Sequence, residues 1–103
     1  MLCAHTVRRL KPGTYEEFKE AFFPKAEEAP TGWIRFHALR SLENEDVVVT
    51  FGFFEGSLED LEQSQSDADF DERRRAVEPY VDEVIANGVY EITETLELAG
   101  ART

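Results

Sequence analysis

Hydrophobic and polar residues alternate in four segments of the chain, which predicts four strands. Residues 2–9 (LCAHTVRR) form the first segment, and residues 33–42, which begin WIRFHALR, form the second. Residues 47–54 (VVVTFGFF) are rich in β-branched and aromatic side chains, the strongest strand signal in the chain. The polar residues 43–46 between them predict a tight turn. A last strand is predicted over residues 89–98 (VYEITETLEL).

A first helix is predicted between the first two strands. Thr14 and Glu17 have the spacing of a capping box, which marks a helix start. Aromatic residues then recur at helical spacing, namely Tyr15, Phe18 and Phe22. The helix is expected to become irregular over residues 24–30, because this segment contains two prolines.

A second helical region is predicted after the third strand. Ser57 and Asp60 form another capping pattern, and the polar residues 64–67 and then Pro79 are expected to interrupt the helix. One apolar stripe is predicted to run through it, formed by Phe70, Val77, Val81, Val84 and Ile85. The dipeptide Asn87-Gly88 has the composition of a helix C-terminal cap.

The order βαββαβ predicts an α+β, ferredoxin-like fold over residues 1–103 as a single domain. Right-handed crossovers would give a four-stranded antiparallel sheet with both helical regions on one face. The third strand carries large apolar groups on both faces, so a second copy of the sheet is the simplest cover. We therefore expect a homodimer packed sheet against sheet.

The segment WIRFHALR is the most ambiguous part of this sheet. Strict alternation would place Trp33, Arg35, His37 and Leu39 together on one face. That face is interpreted as a subunit contact, with a pocket wall as the alternative. The sequence does not settle which face of the sheet His37 and Arg35 occupy.

Composition and charge exclude several partners. With 22 acidic and 11 basic residues the net charge is −11, which would repel nucleic acid and anionic membrane surfaces. Cys3 is the only cysteine, so no intrachain disulfide can form. The first residues lack the pattern of a signal peptide, and the expected location is cytoplasmic.

Several segments together resemble a known superfamily. They are the first strand ending in Lys11-Pro12-Gly13, the helix sequence TYEEFKEAF, the segment from Arg40 to Glu43, residues 54–61 (FEGSLEDL) and residues 66–70. On these patterns the chain resembles the dimeric α+β barrel superfamily, in particular its antibiotic-biosynthesis monooxygenase-like (ABM-type) domains. It is similar, more weakly, to the stress-responsive barrel proteins, which include polyketide cyclases.

The resemblance implies a pocket between sheet and helices in each subunit of a homodimer. Enzymes of the family include cofactor-free oxygenases of quinol-like or polyketide aromatics, and haem-degrading members. The family position that is often Asn corresponds to Thr6 here, and the position that is often Trp corresponds to Phe54. The position of the haem-binding His corresponds to Arg74, which makes haem degradation improbable.

Candidate site residues follow from the resemblance and from helical spacing. Arg74 is four residues after Phe70 and three before Val77, so it is predicted to face the sheet. There it is expected to hold an anionic oxygen of a ligand. Its neighbours Arg73 and Arg75 are predicted to fall off that stripe. His37 is the second candidate catalytic residue, and His5 is expected on the face opposite Thr6. The predicted ligand-binding residues are Thr6, Phe18, Phe22, Phe54 and Phe70.

Three functions remain open at this point. The first is a small protein that binds an apolar or aromatic molecule, as a cofactor-independent monooxygenase, with no cofactor and no metal expected. The second is a non-catalytic binding or assembly module whose core is closed by its own side chains. The third is a polyketide cyclase or isomerase of the stress-responsive type, which would need a base in the pocket.

Overall fold

The computed structural model describes residues 1–23 and 31–98. The irregular helix end predicted over residues 24–30 lies outside the described residues. The regular elements are β1 (Leu2–Leu10), α1 (Tyr15–Phe22), β2 (Trp33–Arg40), β3 (Val47–Phe54), α2 (Leu58–Gln65), α3 (Ala68–Val77), a short 3₁₀ turn (Glu78–Tyr80) and β4 (Val81–Glu91). None of the helices in these ranges is long and apolar enough to cross a membrane.

The four strands form one antiparallel sheet in the order β2-β3-β1-β4. The core lies between one face of this sheet and the helices, where Leu10 and Val48 meet Phe18 of α1 and Val77 of α3. The predicted α+β, ferredoxin-like arrangement is therefore confirmed. Side chains of β3 are alternately buried on the helix-covered face and partly exposed on the other, which is called the outer face below.

The last strand begins earlier than predicted. Val81 to Ile85 were expected in the second helical region and residues 89–98 in the strand, but β4 covers Val81–Glu91. Two bulges against β1 explain the error, because each one adds a residue to β4 and breaks the two-residue alternation. Val81, Val84 and Asn87 consequently share the helix-covered face at three-residue spacing, which imitates a helical stripe.

A bulge in β2 also divides the segment WIRFHALR. Trp33 pairs with Phe54 and Arg35 with Phe53, so Ile34 is the additional residue. Trp33 therefore lies on the helix-covered face, whereas Arg35 and His37 lie on the outer face. The predicted common face of Trp33 with Arg35, His37 and Leu39 is wrong, because strict alternation cannot anticipate the extra residue.

The two predicted capping boxes have different outcomes. At α2, Ser57 accepts a hydrogen bond from the Asp60 backbone N–H at 3.1 Å and the Asp60 carboxylate accepts one from the Ser57 N–H at 3.2 Å, as predicted. At α1, Thr14 makes no capping bond to the helix. Its hydroxyl instead donates to the Lys11 carbonyl at 2.7 Å, which ties the helix start to the end of β1.

Candidate functional site

A cavity of about 550 Å³ lies between the helix-covered face of the sheet and the helices. All four strands, the end of α1 and helix α3 contribute to its walls. A volume of this size is typical of small-molecule sites. The closed core required by the assembly-module interpretation is therefore disfavoured.

One side of the cavity is aromatic. Phe36 of β2 stacks on Trp33 with ring centroids 5.0 Å apart and meets Phe22 of α1 edge to face at 6.1 Å. The indole Nε1 of Trp33 donates a hydrogen bond to the Ser64 hydroxyl of α2 at 2.9 Å. With Phe70 of α3, these rings form a wall suited to a flat apolar molecule.

The opposite side of the cavity is polar. Thr6 of β1 lies directly across from Asn87 of β4, and its hydroxyl donates to Asn87 Oδ1 at 3.0 Å. Both residues line the cavity. Within the described part of the chain no hydrogen bond engages the side-chain NH2 of Asn87, so that donor is available to a ligand oxygen. Asn87 was predicted to cap a helix, and only the bulged strand reveals its place beside Thr6.

Helix α3 brings arginines to the cavity. Arg74 is among the residues that line it, but its side chain is 60% exposed and forms an ion pair with Asp71. Arg73 lines it as well and is partly buried, which the prediction that Arg73 falls off the stripe did not anticipate. Helical spacing alone could have placed Arg73 at the cavity, since it lies three residues after Phe70 and four before Val77, which is as good a spacing as that of Arg74.

Arg8 is the arginine of the cavity that the sequence interpretation missed. Its guanidinium lies 5.5 Å from the centroid of the Phe18 ring and 5.8 Å from that of Phe22, and Nη1 donates to the Thr50 hydroxyl at 2.6 Å. Burial lowers the pKa of this group below its ordinary value. The alternation of β1 could have identified it, because Arg8 is two residues beyond Thr6 and shares its face.

The aromatic residues predicted to bind ligand are divided between cavity and core. Phe22 and Phe70 line the cavity. Phe18 is fully buried in the core beneath Arg8, and Phe54 is buried with its ring 5.1 Å from that of Trp33. Neither is among the residues that line the cavity, so direct ligand contact is not favoured for Phe18 or Phe54.

Both histidines lie away from the cavity. His37 stacks on Phe51 with centroids 4.8 Å apart and meets Phe53 edge to face, on the outer face of the sheet. His5 is on the same face, as expected, with its ring 5.9 Å from that of Tyr90. The structure thus separates His37 from Arg74, and a cyclase that uses His37 as its base is disfavoured. Among residues 1–23 and 31–98, no group of three or more His, Cys, Asp or Glu side chains is placed to hold a metal ion.

No family model matches the sequence, and no curated protein sequence is significantly similar to it. Solved structures do match. SnoaB, a cofactor-independent oxygenase from Streptomyces nogalater, superposes with a TM-score of 0.75 at 16% identity, over 92% of this chain and 95% of that one. The chain has the ABM-type fold.

Other structures with the ABM-type fold are equally similar in shape and equally distant in sequence. A candidate antibiotic biosynthesis monooxygenase from Deinococcus radiodurans has a TM-score of 0.76 at 12% identity, covering 97% of this chain and all of that one. Another, from Nitrosomonas europaea, has a TM-score of 0.73 at 21% identity, covering 91% of this chain and 100% of that one. Identities this low establish the ABM-type fold alone.

Proposed function

We propose that the chain binds an electron-rich aromatic small molecule in the cavity and oxidises it with O₂ as a cofactor-independent monooxygenase. The observation that carries the proposal is the Thr6–Asn87 pair at one side of an aromatic-walled cavity of about 550 Å³. The ABM-type fold, shared with a cofactor-independent oxygenase, supports the same choice.

An oxygenase without a cofactor needs a substrate that itself supplies electrons to O₂. A hydroxylated fused-ring molecule does so once it loses a proton and becomes an enolate or phenolate. For anthrone, the keto tautomer of such a molecule, the balanced reaction is C₁₄H₁₀O + O₂ → C₁₄H₈O₂ + H₂O. The CH₂ carbon is oxidised to a carbonyl, one oxygen atom enters the product, and the other leaves as water.

The cavity residues have separate tasks in this proposal. Trp33, Phe36 and Phe70 hold the rings and exclude water. Asn87 donates its side-chain N–H to the ligand oxygen that gains negative charge, and Thr6 fixes the orientation of that amide. A donor fixed in advance beside the reacting oxygen stabilises the developing charge and favours loss of the proton. Arg74, the predicted anion clamp, would add positive potential from α3.

Homodimer formation is part of the proposal. Phe51, Phe53 and Leu39 lie on the outer face of the sheet, and Leu39 is 49% exposed in the single chain. A sheet with apolar groups on both faces is stable when both are covered. A second copy, packed through the same face, would cover it symmetrically.

The test is enzyme-dependent oxygen consumption with anthrone, measured with an oxygen electrode. Wild type is expected to accelerate uptake, with anthraquinone as the product, and Asn87→Ala is expected to lower kcat/KM roughly 100-fold, as for loss of one oxyanion donor. Asn44→Ala, in the exposed turn before β3, is the matched control and should retain full activity. Uptake equal to the protein-free rate would reject the oxygenase function.

A further inference from the structure

The Arg8 guanidinium has more N–H donors than acceptors among the described residues. It carries five N–H groups, and the Thr50 hydroxyl accepts from one of its nitrogens. Within residues 1–23 and 31–98, no carboxylate forms an ion pair with Arg8, although the chain has a net charge of −11. The next residue, Arg9, shows the ordinary situation, because it pairs with both Asp82 and Glu83 at the surface.

The surroundings of Arg8 favour binding of an anion. The Phe18 and Phe22 rings exclude water from one side, the Thr50 hydroxyl fixes the head group, and the remaining side opens on the cavity. Arg8 stays a cation at neutral pH. Because the two rings keep water from one side of it, a negative charge beside it is attracted more strongly than in bulk water. A guanidinium also matches the planar geometry of a carboxylate with two parallel hydrogen bonds.

Arg8 and the Thr6–Asn87 pair are two separate polar points on one face of the sheet. Thr6 and Arg8 are two residues apart on β1, a distance of roughly 7 Å along the strand. A ligand that reaches both therefore carries an oxygen on the ring system and an anionic group further along it. Arg73, also on the cavity wall and without an ion-pair partner among the described residues, adds to the positive potential.

We propose that the substrate is an aromatic carboxylic acid, with its carboxylate bound by Arg8 and its ring oxygen bound by Asn87. This inference rests on the proposed function, since it specifies the ligand of the same cavity. Neutral polycyclic aromatics such as anthrone are expected to bind more weakly than their carboxylates, because a partly buried cation without an anion partner is unfavourable once a neutral ligand displaces water from it.

The test compares two probes of equal size by isothermal titration calorimetry, anthraquinone-2-carboxylate and anthraquinone-2-carboxamide. Both resemble the product of the proposed reaction and neither is turned over. Wild type is expected to bind the carboxylate at least about tenfold more tightly, the usual scale for a hydrogen bond to a charged group. Arg8→Gln is expected to bind the two probes equally, and the control Arg9→Gln to keep the wild-type preference.

The outcomes separate this inference from the proposed function. Equal affinity of wild type for the two probes, or an unchanged preference in Arg8→Gln, would overturn the inference and leave aromatic binding intact. Binding of neither probe would overturn both. A preference that depends on Arg8, together with no oxygen uptake, would support the inference and reject the oxygenase. If Arg8→Gln does not fold, Arg8→Met keeps an unbranched apolar stem over the Phe rings and has the same expected result.

Discussion

The indole N–H of Trp33 donates to the hydroxyl of Ser64, and this bond connects the bulged end of β2 to the last residues of α2. It exists because the bulge turns Trp33 toward the helices. The same bond holds the indole against Phe36 on the cavity wall. The shape of the aromatic wall therefore depends on a contact between a strand end and a helix end.

Ser64→Ala is expected to lower the free energy of unfolding by about 1 kcal/mol, because it leaves the partly buried indole N–H without its acceptor. Chemical denaturation of a double-mutant cycle with Trp33→Phe measures the coupling. In the Trp33→Phe background, Ser64→Ala should cost almost nothing. An equal cost in both backgrounds would show that the hydrogen bond does not stabilise the fold.

Gly52→Ala is expected to destabilise the protein by about 1–3 kcal/mol through overpacking. A Cβ at this position would lie 2.7 Å from Phe36 Cδ1 and 2.8 Å from Trp33 Cζ3, so two cavity rings must move. Thermal unfolding measures the loss. Gly88→Ala is the matched control on the neighbouring part of the sheet, because its closest contact is the Tyr90 hydroxyl at 3.2 Å, the end of an exposed side chain. A larger loss in the control would contradict this explanation.

Phe51→Asp is expected to convert the proposed homodimer into monomer, because it places a charge at the centre of the apolar outer face. Light scattering coupled to size-exclusion chromatography measures the mass of each variant. Leu58→Asp is the control, since Leu58 is 52% exposed on α2, away from that face. A wild type that is monomeric at micromolar concentration would reject sheet-to-sheet dimerisation.

Cys3 is expected to react slowly with thiol reagents at neutral pH, because burial raises the pKa of its thiol. Burial favours the protonated thiol more in the folded state than in the unfolded state. The contribution of this thiol to the free energy of unfolding is therefore fully present below the ordinary thiol pKa. That contribution is lost as pH rises through the raised value. Alkylation rates of native and urea-unfolded protein between about pH 7 and 10 measure the shift. Identical pH profiles would contradict it.

Local signals in the sequence were sufficient for the fold and insufficient for parts of the site. The order of elements, the turn at residues 43–46 and the cap at Ser57 each depend on neighbouring residues, and the structure contains all of them. Thr14 has the same capping pattern, yet its hydroxyl is bound by the carbonyl of Lys11. That competition depends on how β1 meets α1, which a four-residue pattern does not encode.

Two of the site residues, Asn87 and Trp33, were missed for the same reason. Asn87 is beside Thr6 only because two extra residues are accommodated in β4, and Trp33 faces the cavity only because of the bulge in β2. A bulge is determined by the partner strand and leaves little trace in the segment that contains it. Arg8 required no tertiary information, since its alternation with Thr6 along β1 was sufficient to place both on one face.

The cavity also gives its occupant a direction. The strand order places Trp33 on β2 and Asn87 on β4, at opposite edges of the sheet and roughly 14 Å apart across the strands, and the register displaces them by a further roughly 13 Å along the strands. An elongated ring system with oxygen at one end has two ways to enter, and in only one of them does the oxygen meet the amide while the rings meet the indole. In the proposed oxygenase, the position at which O₂ attacks would then follow from the order of the strands, and regioselectivity would be a property of the topology.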